Sequence, residues 1–331
     1  MKEKIGITTT VPVEVLLAAG KTPVDLNNIF VTSGKAKEII ERAELDGFPR
    51  NICAWIKGLY STAVVYGIDR IIGVTEGDCS NTKSLLEVWQ SKGISTVDFG
   101  FPGKRTREAV KSELDSFMEK FSVILEEVES VRKSLSSIRS KLSELDRLTW
   151  EENKVSGFEN HLWQVSSSDF NGDPESFSKE LDEFLEEAKC REPYPKNEIR
   201  LGYIGVPPII DDIYSLAESN GARVVYNEVQ REFTMAKSEY PDIYEMYLDF
   251  NYPYDLDTRL GEIEKQIEER KLDGIIHYTQ SFCHRGIEDI VIKSRLKLPV
   301  LTIEGDLPGM ADARTKLRLE SFLDMMMDLK E

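Results

Sequence analysis

The stretch Arg70–Lys83 constrains this chain more than any other. Arg70-Ile71-Ile72-Gly73-Val74-Thr75 is a short apolar run, as a strand buried on both faces requires. It stops at Gly77-Asp78, and Cys79 follows at once. Ser80 and Asn81 are helix N-cap types, and Leu85, Leu86 and Trp89 carry helical spacing. Cys79 is therefore expected where a parallel strand hands over to a helix, the edge at which open α/β sheets bind ligands. The helix dipole there favours the thiolate.

The same grammar recurs along the chain. Ile5–Thr10, Thr22–Leu26 and Ser95–Phe99 read as further strands, and Cys53 opens a helix running to about Tyr66. After Phe101-Pro102-Gly103 the pattern changes. Residues 105–146 carry one apolar stripe at helical spacing and read as a helical hairpin packed on the domain; 147–195 continue this helical insert, with Trp150, Trp163 and Phe184 as anchors. From Ile199 onward strands and helices alternate again, and Gly274–Thr279 runs into Gln280-Ser281-Phe282-Cys283 before a helix. Such alternation implies parallel sheets covered on both faces. The fold class is thus α/β: two Rossmann-like parallel-sheet domains, 1–103 and 197–331, with a helical insert between them at 104–196. Residues 231–256, rich in Tyr and Pro, read as a long loop or lid with short helices, the part most able to move; Tyr240, Tyr244, Tyr247, Tyr252 and Tyr254 read as a substrate lid or, by default, as packing residues.

Charge and composition narrow the partners. A formal net charge of −17 opposes binding to a nucleic-acid backbone or an anionic membrane surface. No apolar run approaches the length of a membrane span, and the opening Met1-Lys2-Glu3-Lys4 has no signal-peptide core, so the expected location is the cytoplasm. Four dispersed cysteines do not make a disulfide framework. Cys190, on the helical insert, reads as a packing residue. Cys53, Cys79 and Cys283 all stand at strand ends or helix starts, and three thiolates there suit an iron–sulfur cluster with one open iron, or zinc with a fourth ligand. Their spacing has no compact ligand signature, so each also reads as an ordinary core cysteine. Around them Glu76, Asp78, His284 and Glu304 are candidates for acid–base chemistry, with turn formation and capping as the plain alternative. His277, inside a strand, reads as a core histidine.

At these residues the chain resembles the 2-hydroxyacyl-CoA dehydratase and benzoyl-CoA reductase subunits. Val11-Pro12-Val13-Glu14, Leu17-Ala18-Ala19-Gly20 and Pro23-Val24 look like that family's opening motif. Cys53 resembles its first cluster cysteine, Gly77–Lys83 its second cysteine element, and Ser281-Phe282-Cys283 its third. Pro299–Asp306 and Leu317–Phe322 resemble its closing motifs, so the match runs in order from residue 5 to about 329. The resemblance implies a four-iron four-sulfur cluster on Cys53, Cys79 and Cys283 in an interdomain cleft. It implies low-potential one-electron reduction or dehydration of a thioester, possibly an acyl-CoA, with electrons from a separate ATP-dependent activator. It also implies a homologous subunit as partner, in a homo- or heterodimer. Consistent with a separate activator, the chain carries no GxxxxGK[ST] phosphate loop. One departure stands out: the acid, Asp78, precedes the second cysteine and Ser80 follows it, where the family usually has the acid after. Two other readings use the same cysteines: a desulfidase or sulfur-transfer enzyme, and a non-catalytic electron-transfer or scaffold subunit.

Overall fold

The computed structural model describes residues 2–237 and 239–330. It contains two four-stranded sheets, each parallel throughout. The first holds β1 (Lys4–Ile7), β2 (Thr22–Asp25), β3 (Arg70–Glu76) and β4 (Ser95–Gly100) in the order β2-β1-β3-β4. The second holds β5 (Ile199–Gly205), β6 (Ala222–Asn227), β7 (Gly274–Gln280) and β8 (Val300–Gly305) in the equivalent order β6-β5-β7-β8. Helix crossovers cover the strands, as parallel connections demand. The central strands are the apolar runs of the sequence: Ile71, Ile72 and Val74 are fully buried, and every residue of β7 is buried.

The two halves repeat one another closely. β3 and β7 have seven residues each, and Cys79 and Cys283 are each the third residue beyond their strand. In both sheets the strand order reverses between the first and third strands, which opens a crevice at their carboxyl ends.

Between the sheets in sequence lie helices only: Arg107–Lys120, Leu125–Trp150, Gly157–Ser166 and Pro174–Lys189, with one short 3-10 turn. Their boundaries follow from local chemistry. Ser156 and Glu159 form a reciprocal capping box at the start of the third helix, and Asp173 caps the fourth with Pro174 in its first turn. The apolar stripe Val128, Leu135, Ile138, Leu142 and Leu145 is buried in the core of the first sheet, and Trp163 packs edge-on to Phe177 at 5.3 Å.

Residues 231–256 carry the short helices expected, ending Glu228–Phe233 and forming Ile243–Leu248, but they pack down rather than hang as a lid. After Thr234 the chain crosses back onto the first half as a strap. Ile243, Tyr244, Met246, Tyr247 and Phe250 are buried in the same core as Ile5, Val11 and Phe101. The Tyr247 hydroxyl donates to Glu14 Oε2 at 2.9 Å and to the Val11 carbonyl at 3.2 Å; Glu14 also pairs with buried Arg139. Arg132 donates to the Tyr240 and Pro241 carbonyls. Packing is the plain reading of these tyrosines, but the sequence does not name their partners, which lie more than 100 residues away in Arg132 and more than 200 away in Glu14 and Val11.

Candidate functional site

A cavity of about 130 Å3 lies where the carboxyl ends of the two sheets meet. Each half contributes its first-strand and third-strand exits: Thr8 and Thr9 after β1, Asp78 and Cys79 after β3, Val206 and Pro207 after β5, Cys283 and His284 after β7. Cys53 joins from the start of the helix Ala54–Val65. The three cysteines singled out in the sequence thus line one cavity. Cys190 lies apart on an exposed helix end, so it is a surface thiol and not a packing residue.

The thiols are near enough to act on one another electrostatically: Cys53 and Cys283 each help to raise the pKa of Cys79. Burial is the larger cause, lifting Cys53 to about 11 and Cys79 to about 12, and it raises Cys283 as well. Backbone N–H groups at the helix starts oppose this: Trp55 and Ile56 at Cys53, Asn81 at Cys79, Arg285 at Cys283. The expectation of thiolates favoured by helix dipoles is therefore corrected. In the chain alone burial outweighs the helix-start N–H groups at all three thiols.

The donor set still suits a polynuclear centre. Three soft sulfurs from three separate elements surround one space, each with an N–H group directed to it, as cluster ligands require. Among the described residues no three His, Cys, Asp or Glu side chains are grouped closely enough to hold a metal ion.

The acid–base candidates divide. Asp78 lines the cavity, partly buried, and its Oδ1 accepts the Tyr252 hydroxyl at 2.8 Å. Burial raises its pKa, with Tyr252 and the Cys79 N–H opposing. His284 lines the cavity too and is exposed on one side, which places it at the mouth; burial of the rest of the ring and the Arg285 charge lower its pKa. Glu76 and Glu304 do not line it. Glu76 is 63% exposed and pairs with Lys83, and Glu304 points outward to accept from Ser281 Oγ at 2.7 Å. His277 is fully buried with Nδ1 2.8 Å from Asp289, the core histidine expected.

Several lining residues escaped the sequence. Arg285, buried two residues past Cys283, donates to the Tyr252 carbonyl at 3.2 Å and lies 4.6 Å from the centre of the Tyr252 ring. Its position after a candidate ligand was the one available clue. His161 comes from the helical insert, while Tyr252, one of the tyrosines read as a possible substrate lid, lines the cavity from the strap. Trp55, Ile56, Leu59, Val165 and Phe233 make most of the remaining wall apolar.

The sequence model for the D-component of 2-hydroxyglutaryl-CoA dehydratase matches residues 8–326. A curated relative, the (R)-phenyllactyl-CoA dehydratase beta subunit of Clostridium sporogenes, is 22% identical over 294 residues, covering 82% of this chain and 76% of that protein. The family match spans every strand but β1, the insert and all three cavity cysteines. The chain belongs to the 2-hydroxyglutaryl-CoA dehydratase D-component family.

Proposed function

We propose that this chain is an iron–sulfur subunit of a 2-hydroxyacyl-CoA dehydratase, acting on a thioester at the cavity between the two sheets. The observation that carries the reading is the convergence of Cys53, Cys79 and Cys283, from three separate helix starts, on that cavity. These three residues would hold a four-iron four-sulfur cluster with one iron left without a protein thiolate. Such a group supplies low-potential one-electron chemistry and a Lewis-acidic site.

The chain's own residues would do the rest. The apolar wall of Trp55, Ile56, Leu59 and Phe233 excludes water from the acyl part of a substrate. Asp78, held by Tyr252, is the carboxyl placed to give or take a proton at the wall. Arg285 keeps a positive charge beside the thiols, where thiolate charge would accumulate. Electrons would come from a separate ATP-hydrolysing activator. The relative's name as a beta subunit supports a second subunit as partner, which we take to be a homologous chain.

The test is anaerobic reconstitution with iron and sulfide. About four irons per chain are expected, the count of the cluster type. Cys190→Ala should keep them, while Cys79→Ala and Cys283→Ala should each lose the full cluster. Retention of a full cluster by both of the latter would overturn the assignment. Reconstituted protein, supplied with activator and partner, should dehydrate phenyllactyl-CoA or a related 2-hydroxyacyl thioester.

A further inference from the structure

The helix Gly157–Ser166 brings His161 to the wall of the same cavity, and a buried chain of side chains dictates which ring nitrogen carries its proton. The chain starts at a fixed charge. Asp146 is paired with Arg270 at 2.5 and 2.9 Å, which holds it as a carboxylate that only accepts. Asn160 must therefore turn its amide NH2 toward Asp146 Oδ1, at 3.3 Å. The same NH2 donates to Thr149 Oγ1 at 3.1 Å, whose own proton goes to the Leu145 carbonyl. Asn160 then shows its oxygen to Asn227, whose Nδ2 donates to it at 2.8 Å and also to the Gly157 carbonyl at 3.2 Å. Asn227 Oδ1 accepts the Tyr214 hydroxyl at 2.8 Å.

With its proton committed, the Tyr214 oxygen can only accept, and it does so from Gln230 Nε2 at 3.4 Å. Turning the Gln230 amide over would set two lone pairs against each other there. The NH2 of Gln230 thus also faces His161 Nδ1, at 3.1 Å. Nδ1 is an acceptor, so the ring proton sits on Nε2. That atom has no hydrogen-bond partner among the described residues, on a ring that lines the cavity.

The ring is also clamped. It lies 5.2 Å from the Tyr214 ring and 6.2 Å from Phe158. Asn160, Asn227 and Gln230 are fully buried, and Gln230 Oε1 is left without a partner among the described residues while its NH2 serves His161. A buried polar group without a partner is uncommon and calls for a reason.

We propose that His161 is a neutral imidazole that presents Nε2–H to an oxygen of the cavity's ligand, with Gln230, Tyr214, Asn227 and Asn160 acting as positioning residues that fix its tautomer. On the dehydratase reading, on which this ligand assignment rests, that oxygen is the thioester carbonyl. A neutral imidazole polarises a carbonyl through its hydrogen bond and keeps its proton, as electrostatic stabilisation of a developing oxyanion requires. Burial alone supports the neutral state, pushing the ring's pKa down to about 3.

The test has two parts. In full-length chain labelled with 15N-histidine, His161, assigned through His161→Phe, should show the Nε2–H tautomer and stay neutral from pH 5 to pH 8. Gln230→Glu, which offers Nδ1 a carboxylate, should move the proton to Nδ1 or charge the ring. A wild-type Nδ1–H tautomer, or a titration inside that pH range, overturns the proposal. In the second part, phenyllactyl-CoA binding is measured on the reconstituted chain. His161→Phe should weaken it about tenfold, the loss of one hydrogen bond, with iron content unchanged. His161→Gln, whose amide N–H can reach the same point, should stay within about threefold of wild type. Equal binding by the Phe variant refutes the contact. Absence of binding by wild type removes the thioester carbonyl as acceptor and counts against the dehydratase reading, while the tautomer result stands apart from both.

Discussion

Gly77→Ala tests how the strap and the Cys79 turn hold each other. Gly77 sits at φ +85°, and a Cβ there would stand 2.6 Å from Pro253 Cβ and 3.0 Å from Phe101 Cβ. Two separate terms follow. The left-handed backbone costs a non-glycine residue about 1 kcal/mol. The overlap with Pro253 adds roughly 1–3 kcal/mol, the usual range for overpacking, because a proline ring yields little. Gly67 provides the control: its φ is +63° and nothing lies within 4 Å of its added Cβ, so Gly67→Ala carries the backbone term alone. Denaturant titration of the two variants under anaerobic conditions should place Gly77→Ala about 1–3 kcal/mol below Gly67→Ala. Relief of the overlap pushes the turn holding Asp78 and Cys79 away from Pro253, so the Gly77 variant should also retain less iron after reconstitution. Equal stabilities with equal iron contents would show that the strap does not form a firm wall behind Cys79, and the reasoning would fail.

Tyr247→Phe removes a hydrogen bond to a buried carboxylate and should cost about 1.5–3 kcal/mol; Arg139→Met strands buried Glu14 without its cation and should cost about 3–5 kcal/mol, both read by denaturant titration. Burial and the nearby Asp25 carboxylate raise Asp169 to about 7, so its contribution to stability is full below about pH 4 and is lost as pH rises through 7; Asp169→Asn should flatten the fall in melting temperature between pH 5 and pH 8, and an unchanged slope would contradict it. Glu76→Gln and Glu304→Gln, both outside the cavity, should keep iron content and thioester binding at wild-type levels, whereas a loss in either would return that residue to the site.

The strand–cysteine–helix units were legible because apolar runs, turn residues and caps lie within a few positions of one another. That local grammar was enough to bring Cys79 and Cys283 to equivalent strand ends. Glu304 was misplaced because the alternation within β8 turns it outward while Ile303 points in, and sequence does not say which face meets the cavity. Thiol acidity was misjudged because a helix start is visible in sequence and the depth of burial is not. His161 was silent for a different reason: its role depends on Gln230, 69 positions away, and on a chain of amides whose orientation only the fold fixes.

The strap has a consequence for synthesis on the ribosome. When the chain has emerged through the helix Pro174–Lys189, the first sheet and all four insert helices are available, yet their shared core still lacks Ile243, Tyr244, Met246, Tyr247 and Phe250. Those residues arrive about 60 positions later, several seconds at roughly 5–20 residues per second. Through that interval the amino-terminal half must carry an open apolar groove, with Glu14 and Arg139 facing each other across it and Tyr247 absent. The nascent protein is then most exposed to wrong partners, and a chaperone that covers the groove until residue 250 has been made would serve it better than one acting on the finished chain.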